Sequence, residues 1–112
     1  MEDHVVIAEI GRAFEARDAD ALAQHLAEDV ELDLMSAGEP IRGREAAREW
    51  YRKSFEQRFI FEAHSRTPVE VEPGSYLLEG RLRVYEDHTM TDRPGRWVLT
   101  IENSQVTSIR RA

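Results

Sequence analysis

Two side chains in the first third of the sequence, His25 and Asp33, have the chemistry to move a proton. His25 lies on the apolar side of the segment ADALAQHLA, where it shares a helical face with Leu22 and Leu26. A neutral imidazole there can act as an acid or a base near pH 7, whereas a histidine at a helix end more often hydrogen-bonds a carbonyl group. Alternation places Asp33 on the polar face of a strand, unless a bulge near Met35 rotates it inward. His25 and Asp33 are the candidate catalytic residues.

Tyr51 and Trp97 offer a different chemistry, because each carries one polar atom at the tip of an apolar body. In a pocket they would hold a carbonyl or hydroxyl group of a ligand, and in a packed core they would only fill volume. His64 and Arg66 follow the strand-like segment FIFEA, and the alternation leaves open whether they line a pocket or the outer face of a sheet.

Metal and cofactor chemistry has little support in the sequence. Asp87, His88 and Asp92 lie close together in DHTMTD, but without the helix or strand spacing that would aim three ligands at one point. The chain has no cysteine, no glycine-rich phosphate loop, no serine elbow and no HExxH pair. We therefore predict no metal and no cofactor.

Length and charge limit the classes of partner. A chain of 112 residues with 41% hydrophobic residues can form one core, which predicts a single domain over 1–112. Its 22 acidic and 15 basic residues give a net charge of −7, which repels nucleic-acid phosphates and anionic membranes. The segment MEDHVVIAEIGRAFEAR has charges throughout, so it predicts an amphipathic helix and neither a signal peptide nor a membrane span. We expect a cytoplasmic protein.

The elements that must position these residues follow from the period of the apolar side chains. Helical spacing extends over about 3–17, and Asp18 can cap a second helix over ADALAQHLA. From about residue 29 the period changes to two, with Leu34 on the apolar face of a strand. After the turn SAGEPIRG, the segment GREAAREWYRKSFEQR predicts a third helix that buries Tyr51 and Phe55. Its basic face, Arg44, Arg48, Arg52 and Lys53, is interspersed with glutamates and predicts a solvated surface rather than a binding patch.

The second half of the chain predicts strands over about 59–71, 76–85, 96–102 and 105–110. They are separated by the turn EPGS, the longer loop DHTMTDRPG and the hairpin turn ENSQ. Three helices, one early strand and a four-strand meander predict an α+β domain with helices on one face of a curved antiparallel sheet. One face of YLLEGRLRVYED mixes apolar and charged groups, which suits a homodimer through the sheet, although a solvated sheet would look similar.

The segments ARDADALAQHLAEDVELDL, EPIRGREAAREWYRKSF and GRWVLTIENSQVTSIRR together resemble the nuclear transport factor 2-like superfamily, and within it the SnoaL-like polyketide cyclases and the ketosteroid isomerases. The likeness covers nearly the whole chain and comes from the combination of segments. It implies a cystatin-like α+β roll, a cone in which a strongly curved antiparallel sheet wraps the three helices and leaves an apolar pocket at one end. It also implies a homodimer that associates through the sheet.

The resemblance allows the catalytic positions of ketosteroid isomerases to be checked. Those enzymes place a carboxylate base near the end of the first strand, a tyrosine on the first helix and a protonated aspartate on a late strand. The matching positions in this sequence are Leu34, Ile10 and Trp97, so all three groups are missing. Tyr51 does match a pocket-lining tyrosine of the third helix. The sequence therefore predicts a protein that is not a ketosteroid isomerase.

Three hypotheses of function remain. In the preferred one, the domain binds an apolar small molecule without catalysis, in a cavity lined by Ile10, Phe14, Leu34, Tyr51, Phe55 and Trp97. In the second, it is a cofactor-independent isomerase, cyclase or hydrolase of an apolar oxygenated molecule, with His25 or Asp33 as acid or base. In the third, large side chains fill the cone, and the domain is a dimerisation or scaffold module.

Overall fold

The structure, a computed structural model, describes residues 1–34, 39–56, 59–63, 68–86 and 88–112, with the backbone alone for 59–63, 82, 84–86 and 93. Its helices are α1 (Asp3–Ala16), α2 (Ala19–Ala23) and α3 (Arg44–Glu56). Its strands are β1 (Leu26–Asp33), β2 (Ile41–Arg42), β3 (Phe59–Ala63), β4 (Val69–Glu72), β5 (Ser75–Glu86), β6 (Thr89–Glu102) and β7 (Gln105–Arg111).

The two N-terminal helices are joined by a short connection at Arg17 and Asp18. Arg17 adopts a left-handed conformation with φ 53° and its amide N–H bonds the last carbonyls of α1, which ends the helix. The Asp18 side chain then accepts a hydrogen bond from the Ala21 amide at 3.0 Å, so the predicted cap of α2 is confirmed.

The second helix is shorter than predicted, because the chain changes to strand geometry before Leu26. The helix ends at Ala23, and His25 lies in the turn that follows. The carbonyl of His25 accepts a hydrogen bond from the Val106 amide at 2.7 Å, so this stretch already belongs to the edge where β7 pairs. The tertiary partner overrides the helical pattern of ADALAQHLA, and the prediction that His25 lies on a helix was wrong.

The strands form one strongly curved, open sheet in the order β2-β1-β7-β6-β5-β3, with β4 also paired to β5. Every pairing is antiparallel except that of β1 with β7, which is parallel. This arrangement confirms the predicted α+β class, in which a curved sheet wraps helices from the first half of the chain.

Two predicted boundaries in the second half were wrong. The expected loop DHTMTDRPG is mostly strand, because β6 begins at Thr89 and pairs with β5 from there. Its proline, Pro94, is tolerated in a strand since β7 reaches only the part of β6 from Trp97 onward. The expected single strand over 59–71 is in fact two strands, β3 and β4, which pair with successive stretches of the same edge of β5. In the first half of the chain, the short strand β2 was not predicted.

The last hairpin follows the sequence prediction. Asn103 and Ser104 join β6 to β7 with φ of 52° and 65°, the two left-handed residues of a tight turn. The turn between β4 and β5 has Gly74 at φ 81°, which a residue with a side chain adopts only with strain.

One cluster of buried side chains joins the helices to the concave face of the sheet. Its largest members with almost no exposed surface are Tyr51, Ile10, Leu22, Leu26, Leu32, Val6, Val30 and Val106. In the described part of the chain, no helix has the length and apolar character needed to cross a membrane.

The outer face of α3 carries ion pairs, as its charge pattern predicts. Arg48 pairs with Glu45 and Asp20, and Arg52 pairs with Glu49 and Glu56. These side chains confirm a solvated surface.

Arg44 is the exception on α3. Its Nε donates a hydrogen bond to the carbonyl of Leu26 at 2.8 Å, which ties the start of α3 to the start of β1. The prediction that Arg44 belongs to the solvated face was therefore wrong.

Candidate functional site

Three aromatic rings fill the space between α1 and α3. The Phe14 ring meets the Tyr51 ring edge to face at 5.4 Å and the Phe55 ring at 6.0 Å. The rings of Tyr51 and Phe55, one helical turn apart on α3, stack at 5.9 Å. Trp50 adds an edge contact to Tyr51 at 5.0 Å. We call Phe14, Tyr51 and Phe55 the aromatic cluster. Phe14 comes from α1 and the other two from α3, so both helices hold the rings in place.

Ile10 and Leu34 extend the same apolar surface. Ile10 lies one turn before Phe14 on α1 and keeps 1% of its surface exposed, and Leu34, just after β1, keeps 8%. The alternation predicted for the first strand is confirmed, because Val30, Leu32 and Leu34 are buried and Asp33 is exposed.

Trp97 lies partly buried on β6, packed against the same core. Its indole covers Gly95, two residues earlier on the same face of the strand, and a Cβ on Gly95 would lie 2.6 Å from Trp97 Cζ2. All six residues predicted to line a pocket, Ile10, Phe14, Leu34, Tyr51, Phe55 and Trp97, therefore belong to or pack against one hydrophobic cluster.

The hydroxyl group of Tyr51 is a polar atom in these apolar surroundings. The side chain is 2% exposed, and its hydroxyl makes no hydrogen bond to any described residue. Burial alone raises the pKa of Tyr51 well above its usual value, because the phenolate would lose its hydration without gaining a partner. The group therefore stays a protonated donor at neutral pH.

Asp33 lies on the side of β1 away from this cluster. It is exposed, and its backbone partner on β7 is Arg110, while the neighbouring outward carboxylate, Glu31, lies 3.8 Å from Arg42. Met35, where a bulge was considered, lies outside the described residues. In the structure Asp33 therefore faces solvent, with no described contact to the aromatic cluster.

His25 is paired with a carboxylate from another element. Its Nε2 lies 2.8 Å from Glu9 Oε2 on α1, and the two side chains are 16% and 37% exposed. The carbonyl contact considered for a helix-end histidine is absent from the described contacts, and Glu9 takes its place. The pair joins α1 to the turn before β1, a structural link that accounts for a histidine among leucines.

A second tyrosine was missed by the sequence analysis. Tyr76 on β5 is partly buried against the core, and its hydroxyl donates a hydrogen bond to Asp3 Oδ2 at 2.6 Å. This carboxylate raises the pKa of Tyr76, with burial and Glu70 adding to the effect. The period of two along β5 predicts that the Tyr76 side chain points inward, as Leu78 does. No local pattern in the sequence identifies Asp3 as the hydrogen-bond partner of Tyr76.

The remaining candidate groups do not gather into a site. His64 and Arg66, whose direction was open, and Asp87 lie outside the described residues. His88 is exposed in the turn before β6, and Asp92 pairs with Arg81 at 2.9 Å. Among the described residues, no three histidine, aspartate or glutamate side chains are close enough to hold a metal ion.

Comparisons with known proteins agree with this architecture. Residues 7–109 match the family model of the SnoaL-like domain, and the chain belongs to that family. Its place in the nuclear transport factor 2-like superfamily is thereby confirmed. No functionally curated protein matches the sequence significantly.

Three solved structures illustrate the shared fold. A cystatin-fold protein from Novosphingobium aromaticivorans has a TM-score of 0.81 at 14% identity, with 100% of this chain and 98% of that chain covered. A candidate polyketide cyclase from Pseudomonas putida KT2440 has a TM-score of 0.77 at 15% identity, covering 96% and 87%. RV0760c from Mycobacterium tuberculosis, in complex with estradiol-17β-hemisuccinate, has a TM-score of 0.79 at 13% identity, covering 96% and 90%. At these identities the likeness shows the fold.

Proposed function

We propose that this protein binds an apolar small molecule, without catalysis, in a pocket whose wall includes the aromatic cluster, Ile10, Leu34 and Trp97. The observation that carries the proposal is the separation of apolar and titratable groups. The six predicted lining residues share one hydrophobic cluster, whereas Asp33 is exposed and His25 is held by Glu9. An acid/base mechanism needs a titratable group within reach of the ligand, and no described contact joins His25 or Asp33 to the aromatic cluster.

The relatives support a small molecule as the partner. RV0760c, which has a similar fold, forms a complex with estradiol-17β-hemisuccinate, so a protein of this fold can bind a rigid apolar ring system. Positions that are catalytic in ketosteroid isomerases are occupied by Ile10, Leu34 and Trp97 here. Two of these are buried and one is partly buried, an arrangement that favours binding over isomerisation.

The test of this proposal is a titration with estradiol-17β-hemisuccinate, followed by tryptophan fluorescence and by calorimetry. Two adjacent residues provide a matched pair of variants, because Leu34 is buried and Asp33 is exposed. Leu34→Phe adds volume to the proposed wall and is expected to weaken binding roughly tenfold. Asp33→Asn is expected to leave the affinity unchanged.

The alternatives predict different results. A scaffold with a filled cone would give no saturable binding, and wild-type protein that does not bind this steroid ester or a smaller aromatic probe would contradict the proposal. An enzyme would turn over Δ5-3-ketosteroid or a related oxygenated ring compound, and its activity would fall in His25→Ala or Asp33→Asn. We expect no turnover in any of these proteins.

The outer face of the sheet supports a homodimer as the second part of the proposal. On this face the half-buried Leu77 lies between Val98 and Val69, which is 58% exposed, and the ion pairs of Arg81 with Asp92 and of Arg96 with Glu79 lie at the border. An apolar centre with a charged border is typical of association surfaces. Light scattering should give about twice the 13.0 kDa mass of one chain, and the mass of a single chain would exclude the dimer.

A further inference from the structure

Arg111, at the end of β7, lies on the same face of the sheet as Trp97. The two residues are partners in the antiparallel pairing of β6 with β7, and the Ala112 amide still donates to the Arg96 carbonyl at 2.9 Å, so the pairing extends beyond them. Directly opposite residues of an antiparallel pair carry their side chains on one face. Because Trp97 packs against the hydrophobic core, Arg111 belongs to the concave face of the sheet.

Leu34 lies on the other side of Arg111 in the sheet. In the parallel pairing of β1 with β7, Asp33 is the partner of Arg110, and both side chains are exposed. Leu34 and Arg111 each follow by one residue, and one step along a strand changes the face. Leu34 is 8% exposed. The backbone therefore places one arginine in a row between Leu34 and Trp97, two residues of the proposed pocket wall.

The exposure of Arg111 shows where this part of the concave face meets solvent. Arg111 is exposed, although Leu34 beside it is buried and Trp97 is partly buried. Within the described ranges, no hydrogen bond or ion pair engages its guanidinium group. An unpaired cation thus stands at the rim of an apolar surface, where it can meet the polar end of a ligand whose body lies deeper.

The distribution of charge defines the chemistry of that polar end. The chain has a net charge of −7, which repels anions in general, so an anionic ligand needs a cation placed for it. A guanidinium group matches a carboxylate through two parallel hydrogen bonds. One arginine balances one negative charge, whereas a phosphate monoester carries about −2 at pH 7. A single carboxylate is therefore the group that fits.

From this placement we infer that Arg111 binds the carboxylate of an amphipathic ligand at the rim of the concave face, with the ligand's apolar body against Leu34 and Trp97. The inference rests on the proposed binding function. It adds to that function the charged group of the ligand and the residue that recognises it.

The experiment compares two probes that differ by one charge, estradiol-17β-hemisuccinate and its methyl ester. Both carry the same ring system, and only the first has a carboxylate at neutral pH. Their dissociation constants are measured by calorimetry on the wild-type chain, on Arg111→Gln and on Arg110→Gln. The adjacent Arg110 provides the matched control, because it lies on the outer face and either substitution changes the net charge by one, from −7 to −8.

Wild-type protein is expected to bind the hemisuccinate about tenfold more tightly than the methyl ester at low salt, and this preference should shrink as the salt concentration rises. Arg111→Gln is expected to lose the preference and to bind the methyl ester as the wild type does, because the apolar contacts remain. Arg110→Gln is expected to keep the preference. Thermal unfolding of both variants should match the wild type, since both side chains are exposed.

The affinity for the methyl ester reports on the proposed function alone, so the two can fail separately. Equal affinities of the wild type for both probes would overturn the inference and leave the binding function in place. A preference that persists in Arg111→Gln would assign the carboxylate to another cation. Equal losses in the two variants would reveal an effect of net charge, and either result overturns the role of Arg111. Wild-type protein that binds neither probe would count against both the inference and the proposed function.

Discussion

At Gly95, the missing side chain lets the Trp97 indole lie against the backbone of β6. A Cβ there would lie 2.6 Å from Trp97 Cζ2, closer than carbon atoms approach, and the backbone of Gly95 does not have positive φ. An alanine side chain at this position would therefore clash with the ring and not with the backbone. We predict that Gly95→Ala displaces the indole, lowers the free energy of unfolding by about 1–3 kcal/mol and shifts the fluorescence of Trp97.

Gly11 provides the matched control for the same substitution. A Cβ at Gly11 meets nothing within 4 Å, and the residue lies in the interior of α1. Gly11→Ala should therefore raise the free energy of unfolding by about 0.5–1 kcal/mol, through helix propensity. Urea denaturation of both variants, in a Trp50→Phe background to isolate Trp97, checks the pair. A Gly95→Ala protein as stable as the wild type with unchanged fluorescence would contradict this packing.

At the residue scale, alternation in the sequence predicts direction but not partners. It places Leu34 inward and Asp33 outward correctly, because a strand has a period of two whatever surrounds it. It could not predict that Glu9 on α1 holds His25, or that Asp3 accepts the hydrogen bond of Tyr76. Those contacts join residues distant in the sequence, and they depend on how the elements pack.

At the scale of elements, Arg44 shows a tertiary contact overriding a local preference. A cation in the first turn of a helix is unfavourable to the helix dipole, and Arg44 is nevertheless the first residue of α3. Its hydrogen bond to the Leu26 carbonyl compensates. We predict that Arg44→Ala lowers the free energy of unfolding by about 1–3 kcal/mol, because a partly buried carbonyl loses its charged donor.

Arg42, two residues earlier, tests whether the position or the charge matters. Its side chain is 75% exposed and lies 3.8 Å from Glu31, so Arg42→Ala should change the free energy of unfolding by less than about 0.5 kcal/mol. Both variants remove one positive charge from the same short segment. Equal effects in urea denaturation would mean that the contact between Arg44 and Leu26 contributes nothing particular.

The element boundaries that the sequence failed to predict share one cause, which is hydrogen bonding to another strand of the sheet. The stretch from Thr89 to Pro94 is polar and contains a proline, so it looks like a loop, yet it pairs with β5 residue by residue. The helix α2 ends early because β7 pairs at its end. Helices α1 and α3 were predicted correctly, since their apolar periods are long enough to indicate their structure without a partner.

At the scale of the whole molecule, the parallel pairing of β1 with β7 joins the first strand of the chain to the last. Leu32 lies beside Ile109 in this pairing, and both are buried in the core that the helices cover. No turn sets the register of such a pair, so only the apolar faces of both strands can fix it. The class of fold was therefore predictable from the succession of elements, whereas the order of strands in the sheet was not.

Alkaline pH should weaken the whole fold through two of its three tyrosines, Tyr51 and Tyr76. The pKa values of Tyr51 and Tyr76 are raised, by burial in the first case and chiefly by the hydrogen bond to Asp3 in the second. The native chain therefore keeps phenolic protons that the unfolded chain releases above about pH 10. Because the unfolded state then binds fewer protons, we predict that the free energy of unfolding falls as the pH rises through about 10, and not below about 9.

Lysine titration hardly interferes with this prediction, because Lys53 is the only lysine of the chain and is exposed. Urea denaturation between about pH 8 and 11 measures the slope. Tyr51→Phe and Tyr76→Phe should each flatten it, and the double variant should remove most of it, since phenylalanine releases no proton. A slope that is unchanged in the double variant would place the alkaline sensitivity elsewhere.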